Sequence, residues 1–187
     1  VCGAHLHFQI QETCASWWCQ SVPSSFVDFG DPSLGASLIS NNCPALEPCA
    51  AVASGDELVI DELSPCFERE TSYWWDVPEG YEGHHFYTKA TDAAAPETIG
   101  RWRFDVAVAG RYSLDVHVPD TEANSVAAVY WADGGQGIEA FSAIDQSVDK
   151  GWVPLGELEL VEGAGRFVEL GDNTGEAVAL DRRLAYD

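Results

Sequence analysis

The stretch WRFDVAVAGRYSLDVHV, residues 102–118, decides the fold that the sequence predicts. Apolar and polar side chains alternate over residues 102–108 and again over residues 112–118, and Ala109-Gly110 separates the two runs. Because successive side chains of a strand point to opposite faces, each run places its apolar residues on one face. The pattern predicts two strands joined by a turn.

Strand-like alternation of apolar and polar residues continues toward the end of the chain. Further strands are predicted at 126–131, 138–144, 153–161, 166–170 and 177–186, with turns rich in Gly, Asp and Asn between them. Some seven or eight short strands in about 120 residues, without a strong amphipathic helix, are typical of an antiparallel β-sandwich or jelly roll. We therefore predict an all-β fold.

Residues 13–61 are different, because they are rich in Ser, Pro, Gly, Asn and Cys and show no helical period. All six cysteines lie in the first 66 residues, and this even number indicates disulfides and an oxidising compartment, either extracellular or in the cell envelope. Six cysteines allow 15 connectivities. The preferred pairing is Cys14–Cys19, Cys43–Cys49 and Cys2–Cys66. A zinc ribbon would need Cys-x-x-Cys pairs, which the sequence lacks.

Composition and charge exclude several classes of function. The net charge of -22 repels phosphate backbones, so we expect no nucleic-acid partner. No apolar run approaches the ~20 residues that a membrane-spanning helix needs. A content of 46% hydrophobic residues is enough to fill a core, so the chain is not an acidic disordered tail. A chain that starts at Val1 and has no Met is expected to be a processed product or a fragment.

Two histidines near the start of the chain suggest metal chemistry. Strand alternation would place His5 and His7 on one face, which suits a zinc site, although a catalytic zinc takes about three protein ligands. The run Gly3-Ala4-His5-Leu6-His7-Phe8-Gln9-Ile10 resembles the second zinc motif of the M23 (lysostaphin- or LytM-like) metallopeptidases. The resemblance implies that His7 is a zinc ligand and His5 the catalytic imidazole. It places the remaining His and Asp ligands upstream, so this chain alone is not expected to hold a complete zinc site or to hydrolyse anything. The alternative is a pair of half-buried strand histidines.

A second resemblance covers about residues 62–187. It is carried by several short motifs in order, namely Cys66-Phe67-Glu68-Arg69, Gly80-Tyr81-Glu82-Gly83, Trp102-Arg103-Phe104-Asp105, Gly151-Trp152-Val153-Pro154 and Leu170-Gly171-Asp172-Asn173. These resemble golvesin/xanthan-lyase C-terminal-like domains. The resemblance implies a galactose-binding-like sandwich of carbohydrate-binding type, attached to a secreted bacterial enzyme. The expected organisation is thus a peptidase remnant at 1–12, a Cys-rich extension at 13–61 and a golvesin-like sandwich at 62–187.

Adjacent aromatic residues are the candidates for ligand contact. Neighbours on a strand face apart, so one member of Trp74-Trp75 and one of Tyr130-Trp131 should be exposed. The predicted ligand-binding residues are Trp74, Trp75, Tyr81 and Trp131. Other large aromatics are assigned to the core, namely Trp102, Tyr112, Trp152 and Phe167.

Two further polar groups have alternative interpretations. His84-His85 would face apart on a strand, so a solvated or hydrogen-bonded pair is favoured over a metal site. Asp172-Asn173 with Glu176 could coordinate Ca²⁺, but a turn that supports its own backbone is favoured.

The leading hypothesis is the C-terminal portion of a secreted M23-like zinc endopeptidase that acts on cell-wall peptidoglycan. Its sandwich would hold the enzyme near a polysaccharide by multiple weak contacts. The first alternative is a non-catalytic secreted carbohydrate-binding or adhesion module, and the second is a structural sandwich that makes protein contacts.

Overall fold

The computed structural model of the protein describes residues 49–71 and 73–187. Within these residues the chain forms eleven strands and two single-turn 3-10 helices, and no α-helix. The strands are β1 (Ala51–Val52), β2 (Phe67–Glu70), β3 (Trp75–Val77), β4 (His85–Lys89), β5 (Ile99–Val106), β6 (Gly110–Val118), β7 (Tyr130–Asp133), β8 (Ile138–Ala140), β9 (Gly151–Leu160), β10 (Gly163–Gly171) and β11 (Arg183–Tyr186). The 3-10 helices are Tyr81–Gly83 and Val178–Leu180.

Three sheets make up the fold. The largest has the order β1-β5-β10-β7-β8, with β2 also paired to β5; the others are β11-β4-β3 and β6-β9. Every pair is antiparallel except β1 with β5, which is parallel. The predicted all-β sandwich is confirmed.

Residues 102–118 form most of β5 and β6, as their alternation predicts. Buried and partly exposed residues alternate without a break along β5. The two strands do not pair with each other, because β5 lies between β2 and β10 while β6 pairs with β9. The turn at Ala109-Gly110 therefore carries the chain from one sheet to another. Of the other predicted strands, 177–186 is shortened to β11, because the single-turn helix Val178–Leu180 precedes it.

Aromatic side chains dominate the core between the sheets. Trp102, Tyr130 and Tyr186 are buried in it, and burial raises the pKa of both tyrosine hydroxyls. The Gln146 amide joins β11 to this core: its Nε2 donates to the Ala185 carbonyl at 3.0 Å, and its Oε1 accepts from the Ala185 N–H at 2.9 Å. Trp102 is thus a core residue, as predicted.

Phe167 is not a core residue, contrary to the prediction. Val168 and Leu170 are the buried residues of β10, so the intervening positions point outward. Phe167 is partly exposed, and the guanidinium carbon of Arg101 lies 4.8 Å from its ring centre. Tyr112 is half-buried and packs against the edge of the core.

One disulfide joins Cys49 to Cys66, with their Cα atoms 5.6 Å apart. The predicted pairings Cys43–Cys49 and Cys2–Cys66 are therefore wrong. The cause is sheet pairing: β1 and β2 both pair with β5, which brings the residues just before each strand together. Cys2, Cys14, Cys19 and Cys43 lie outside the described residues, and so does the predicted Cys14–Cys19 bond.

His5, His7 and nearly all of the predicted extension also lie outside the described residues. Within the part that the structure describes, no helix has the length and apolar character that crossing a membrane requires.

Candidate functional site

A cleft of about 620 Å³ opens along β6. Six consecutive residues of this strand, 112–117, line it, and residues 56–61 form the opposite wall. Consecutive side chains face opposite ways, so a cleft lined by all of them approaches the strand from its edge. Among the described strands only β9 pairs with β6, which leaves the other edge facing the cleft.

The floor of the cleft is apolar. It reaches core side chains of β5, β9 and β10, namely Trp102, Phe104, Leu160 and Val168. Leu58 and Ile60 of the opposite wall pack against the same core. The cleft is therefore a gap between the layers of the sandwich rather than a surface groove.

Three rings stand together at one end of the cleft: Tyr81, His117 and Trp152. Their centroids are 5.3 to 5.6 Å apart, and Trp152 meets the other two in T-shaped contacts. His117 and Trp152 are cross-strand partners in the β6–β9 pair. Trp152 is still 50% exposed, so its indole offers surface to a ligand.

Asp187 holds two members of this ring cluster, Tyr81 and His117, by hydrogen bonds. Its buried carboxylate accepts from the Tyr81 N–H at 3.0 Å to each oxygen, and from His117 Nδ1 at 2.8 Å. Because a carboxylate only accepts when ionised, Nδ1 carries the proton in this contact. Burial raises the pKa of Asp187, although the Tyr81 N–H and His117 both favour its charged form.

Gly80 makes the Asp187 contact possible. It has a φ of 119°, and a Cβ built there would lie 2.6 Å from both Asp187 Oδ2 and the His84 carbonyl. Only a residue without a side chain lets the carboxylate approach the Tyr81 N–H this closely.

A second carboxylate–histidine pair lies close by. Glu62 is only 3% exposed, and its Oε1 is 2.7 Å from His84 Nδ1. Burial raises the pKa of Glu62; the His84 contact lowers it, and the negative charges of Asp61 and Asp187 raise it further. Two buried acids with raised pKa values thus flank the cleft.

The lining of the cleft is acidic. It includes five carboxylates and neither Lys nor Arg; the acids are Asp56, Glu57, Asp61, Asp115 and Asp187. Asp61 Oδ1 accepts from the Leu63 N–H at 2.8 Å. Asp61 Oδ2 and Glu62 Oε2 are buried without a hydrogen-bond partner among the described residues.

The structure does not bring the four predicted ligand-binding residues together. Only Tyr81 lines the cleft. Trp74 packs against Phe67, Phe86 and Tyr186, and Trp75, 41% exposed, stacks on Tyr87 at 5.3 Å in the three-stranded sheet. Trp131, 43% exposed, lies on β7 in the largest sheet. The expectation of one exposed member in each aromatic pair is confirmed, and a ligand role for Trp75 or Trp131 stays a prediction.

Trp152 is not a core residue, contrary to the prediction. The register of β6 and β9 shifts between Leu114 and Asp115, which leaves Leu155 as an extra residue on β9. Leu158 and Leu160 face the core on one side of this bulge, and Val153 does so on the other. The bulge changes the alternation, so Trp152 turns outward.

The two histidines and the acids of the turn make hydrogen bonds within the protein, although His85 Nε2 is buried without a partner among the described residues. His85 Nδ1 lies 2.6 Å from the Glu79 carbonyl oxygen, while His84 meets Glu62, so the two histidines have separate partners as predicted. The carboxylates of the favoured turn also have partners. Asp172 accepts from the Glu97 N–H at 2.9 Å, and Glu176 accepts from the Val126 N–H at 3.1 Å. In the described ranges no three His, Cys, Asp or Glu side chains are arranged to hold a metal ion.

Comparison with known families matches residues 58–182, more than half of the chain, to the Golvesin C-terminal domain. No curated protein and no solved structure matches the chain. The family match confirms the second resemblance, while the M23 resemblance stays a prediction.

Proposed function

The chain belongs to the Golvesin C-terminal domain family, whose members are extracellular and carbohydrate-binding-like, and on that premise we propose that its cleft along β6 binds a sugar chain. The cleft is of a size typical of small-molecule sites, which run to about 300–1,000 Å³. The observation that carries the proposal is the half-exposed indole of Trp152, which Tyr81 and His117 hold at the mouth of this cleft.

The lining suits the two surfaces of a sugar ring. The apolar floor and the indole fit the C–H face of a pyranose, as aromatic residues do when one side of a ligand is apolar and the other polar. The edge of β6 with which no described strand pairs presents backbone donors and acceptors to the hydroxyl groups. Asp187 supplies rigidity, because it holds Tyr81 and His117 in place before a ligand arrives.

Three tryptophan variants test the location. Trp152→Ala, Trp75→Ala and Trp131→Ala each remove a partly exposed indole from a different part of the fold. We expect wild-type protein to bind members of a glycan array, and Trp152→Ala alone to weaken the best ligand about tenfold in calorimetry, near the upper range of an aromatic contact. A loss in Trp75→Ala or Trp131→Ala with Trp152→Ala unchanged would move the site to that other face.

The structural alternative has a distinct outcome. A folded wild-type protein that binds no glycan at all would favour a sandwich that makes protein contacts. Circular dichroism and a cooperative unfolding transition would establish that the protein tested is folded.

We also propose, from Gly3-Ala4-His5-Leu6-His7-Phe8-Gln9-Ile10, that the protein acts as part of an M23-like zinc endopeptidase on peptidoglycan. His7 would be a zinc ligand and His5 the catalytic imidazole, with further ligands from upstream sequence.

Metal analysis and a peptidoglycan hydrolysis assay on the protein with its upstream sequence test this second proposal. We expect bound zinc and hydrolysis, and loss of both in His7→Ala. Absence of zinc and of hydrolysis in the unmutated protein would leave two ordinary histidines.

A further inference from the structure

We propose that the cleft selects cationic sugars, namely hexosamine units whose amino group carries no acyl substituent. This inference rests on the proposed function, since it names the class of sugar that the same cleft takes. It is carried by the charge of the lining, by a carboxylate oxygen of Asp61 that lacks a donor and by the ring cluster at the mouth.

The charge of the lining is of one sign. Five carboxylates line the cleft, and among the described lining residues His117 is the one able to carry positive charge. Its Nδ1 is already bound to Asp187. Elsewhere in the described residues, arginines do neutralise acids, as Arg101 does for Glu169 at 2.7 Å. Apart from Asp187, which His117 contacts, the cleft acids have no basic partner among the described residues, so their field attracts a cation and repels a uronic acid.

One carboxylate oxygen of the cleft lining has no hydrogen-bond donor. Asp61 lines the cleft, and its Oδ2 is buried without a partner among the described residues. Buried polar atoms are nearly always hydrogen-bonded, so each unpartnered one calls for an explanation. An ammonium group offers three donors and a positive charge, so a single group both donates to the unpartnered oxygen and complements the negative charge of the lining.

The ring cluster is compatible with the same ligand. A cation near an indole or phenol ring is attracted by the negative face of the ring. Trp152 and Tyr81 can therefore contact both the apolar face and the charged group of an amino sugar. The carboxylates alone would bind any cation, so the rings are what distinguish an amino sugar from other cations.

Calorimetry with four matched probes tests the inference at mildly acidic pH and near-physiological ionic strength. The probes are the β-1,4-linked pentamer of glucosamine, its fully N-acetylated counterpart, the corresponding glucose pentamer and pentalysine. We expect the glucosamine pentamer to bind most tightly and pentalysine to bind weakly. The variant Asp56→Asn/Asp115→Asn should weaken glucosamine binding about three- to tenfold, the range of two solvent-exposed charge contacts.

Glu139→Gln/Glu159→Gln is the matched control. It makes the same change in net charge, at exposed carboxylates that line a separate shallow depression beside β8 and β9. We expect it to bind the glucosamine pentamer like wild type.

The possible results separate the two proposals. Equal or tighter binding of the acetylated or glucose pentamer would keep the sugar-binding cleft and overturn the preference for amino sugars. Pentalysine binding as tight as the glucosamine pentamer, or equal losses in both double variants, would reduce the effect to overall charge and overturn the inference. Binding to none of the sugars would overturn both proposals.

Discussion

Gly80→Ala should destabilise the protein far more than the same change at a neighbouring glycine. The new Cβ would lie 2.6 Å from two oxygens, Asp187 Oδ2 and the backbone carbonyl of His84. The backbone at Gly80, with φ 119° and ψ -165°, is also in a region that only glycine adopts readily. Both effects push Tyr81 away from its carboxylate.

The magnitude has two parts. Forcing alanine into this backbone region costs of order 1–3 kcal/mol. Displacing the Tyr81 N–H from a charged acceptor adds about 1.5–3 kcal/mol. We therefore expect a loss of about 2.5–6 kcal/mol in the free energy of unfolding, which is a large part of the total for a domain of this size.

Gly83→Ala is the control, because it lies at the other end of the same turn. Gly83 has a φ of 90°, but nothing lies within 4 Å of the Cβ that would be built there. It should show only the backbone cost, about 1–2 kcal/mol. Urea unfolding followed by tryptophan fluorescence measures both variants, and equal losses at Gly80 and Gly83 would refute the close approach of Asp187.

Three further predictions follow from buried groups. Burial raises the pKa of Glu62 in the folded state, so the folded protein holds that proton more tightly than the unfolded chain does. The free energy of unfolding should therefore fall as pH rises from the ordinary pKa of 4.5 to the raised one. Glu62→Gln should flatten this slope in unfolding measured across pH, and an unchanged slope would contradict the assignment. Replacing both Cys49 and Cys66 with Ala removes a cross-link over 17 residues and should cost about 3 kcal/mol in urea unfolding, so a loss below about 1 kcal/mol would count against it. Gln146→Ala leaves the N–H and carbonyl of Ala185 unpaired in the core and should cost about 2–4 kcal/mol, with Gln146→Glu as a comparison that keeps one acceptor.

Alternation along the chain was enough to predict much of the sandwich. The period of two in residues 102–118 fixes which faces of β5 and β6 are buried, because that period is a local property of the strand. The same argument correctly separated Tyr130 from Trp131. It failed at Trp152, because one extra residue in β9 reverses the alternation of buried and exposed side chains there. Gly156, with a φ of 141°, is the local sequence signal of that bulge.

The candidate site depends on contacts that no local pattern contains. Asp187 meets Tyr81 across 106 residues of sequence and His117 across 70. The Cys49–Cys66 bond likewise follows from the shared pairing of β1 and β2 with β5. A sequence pattern reports which faces of an element are apolar, but it does not report which elements become neighbours.

The position of the disulfide has a mechanical consequence. A pulling force that reaches the domain at Cys49 from its N-terminal side would pass through the sulfur bridge directly to Cys66 and β2. Residues 50–65 lie within the covalent loop and carry none of that tension. Since residues 56–61 form one wall of the cleft, that wall would be shielded from the load.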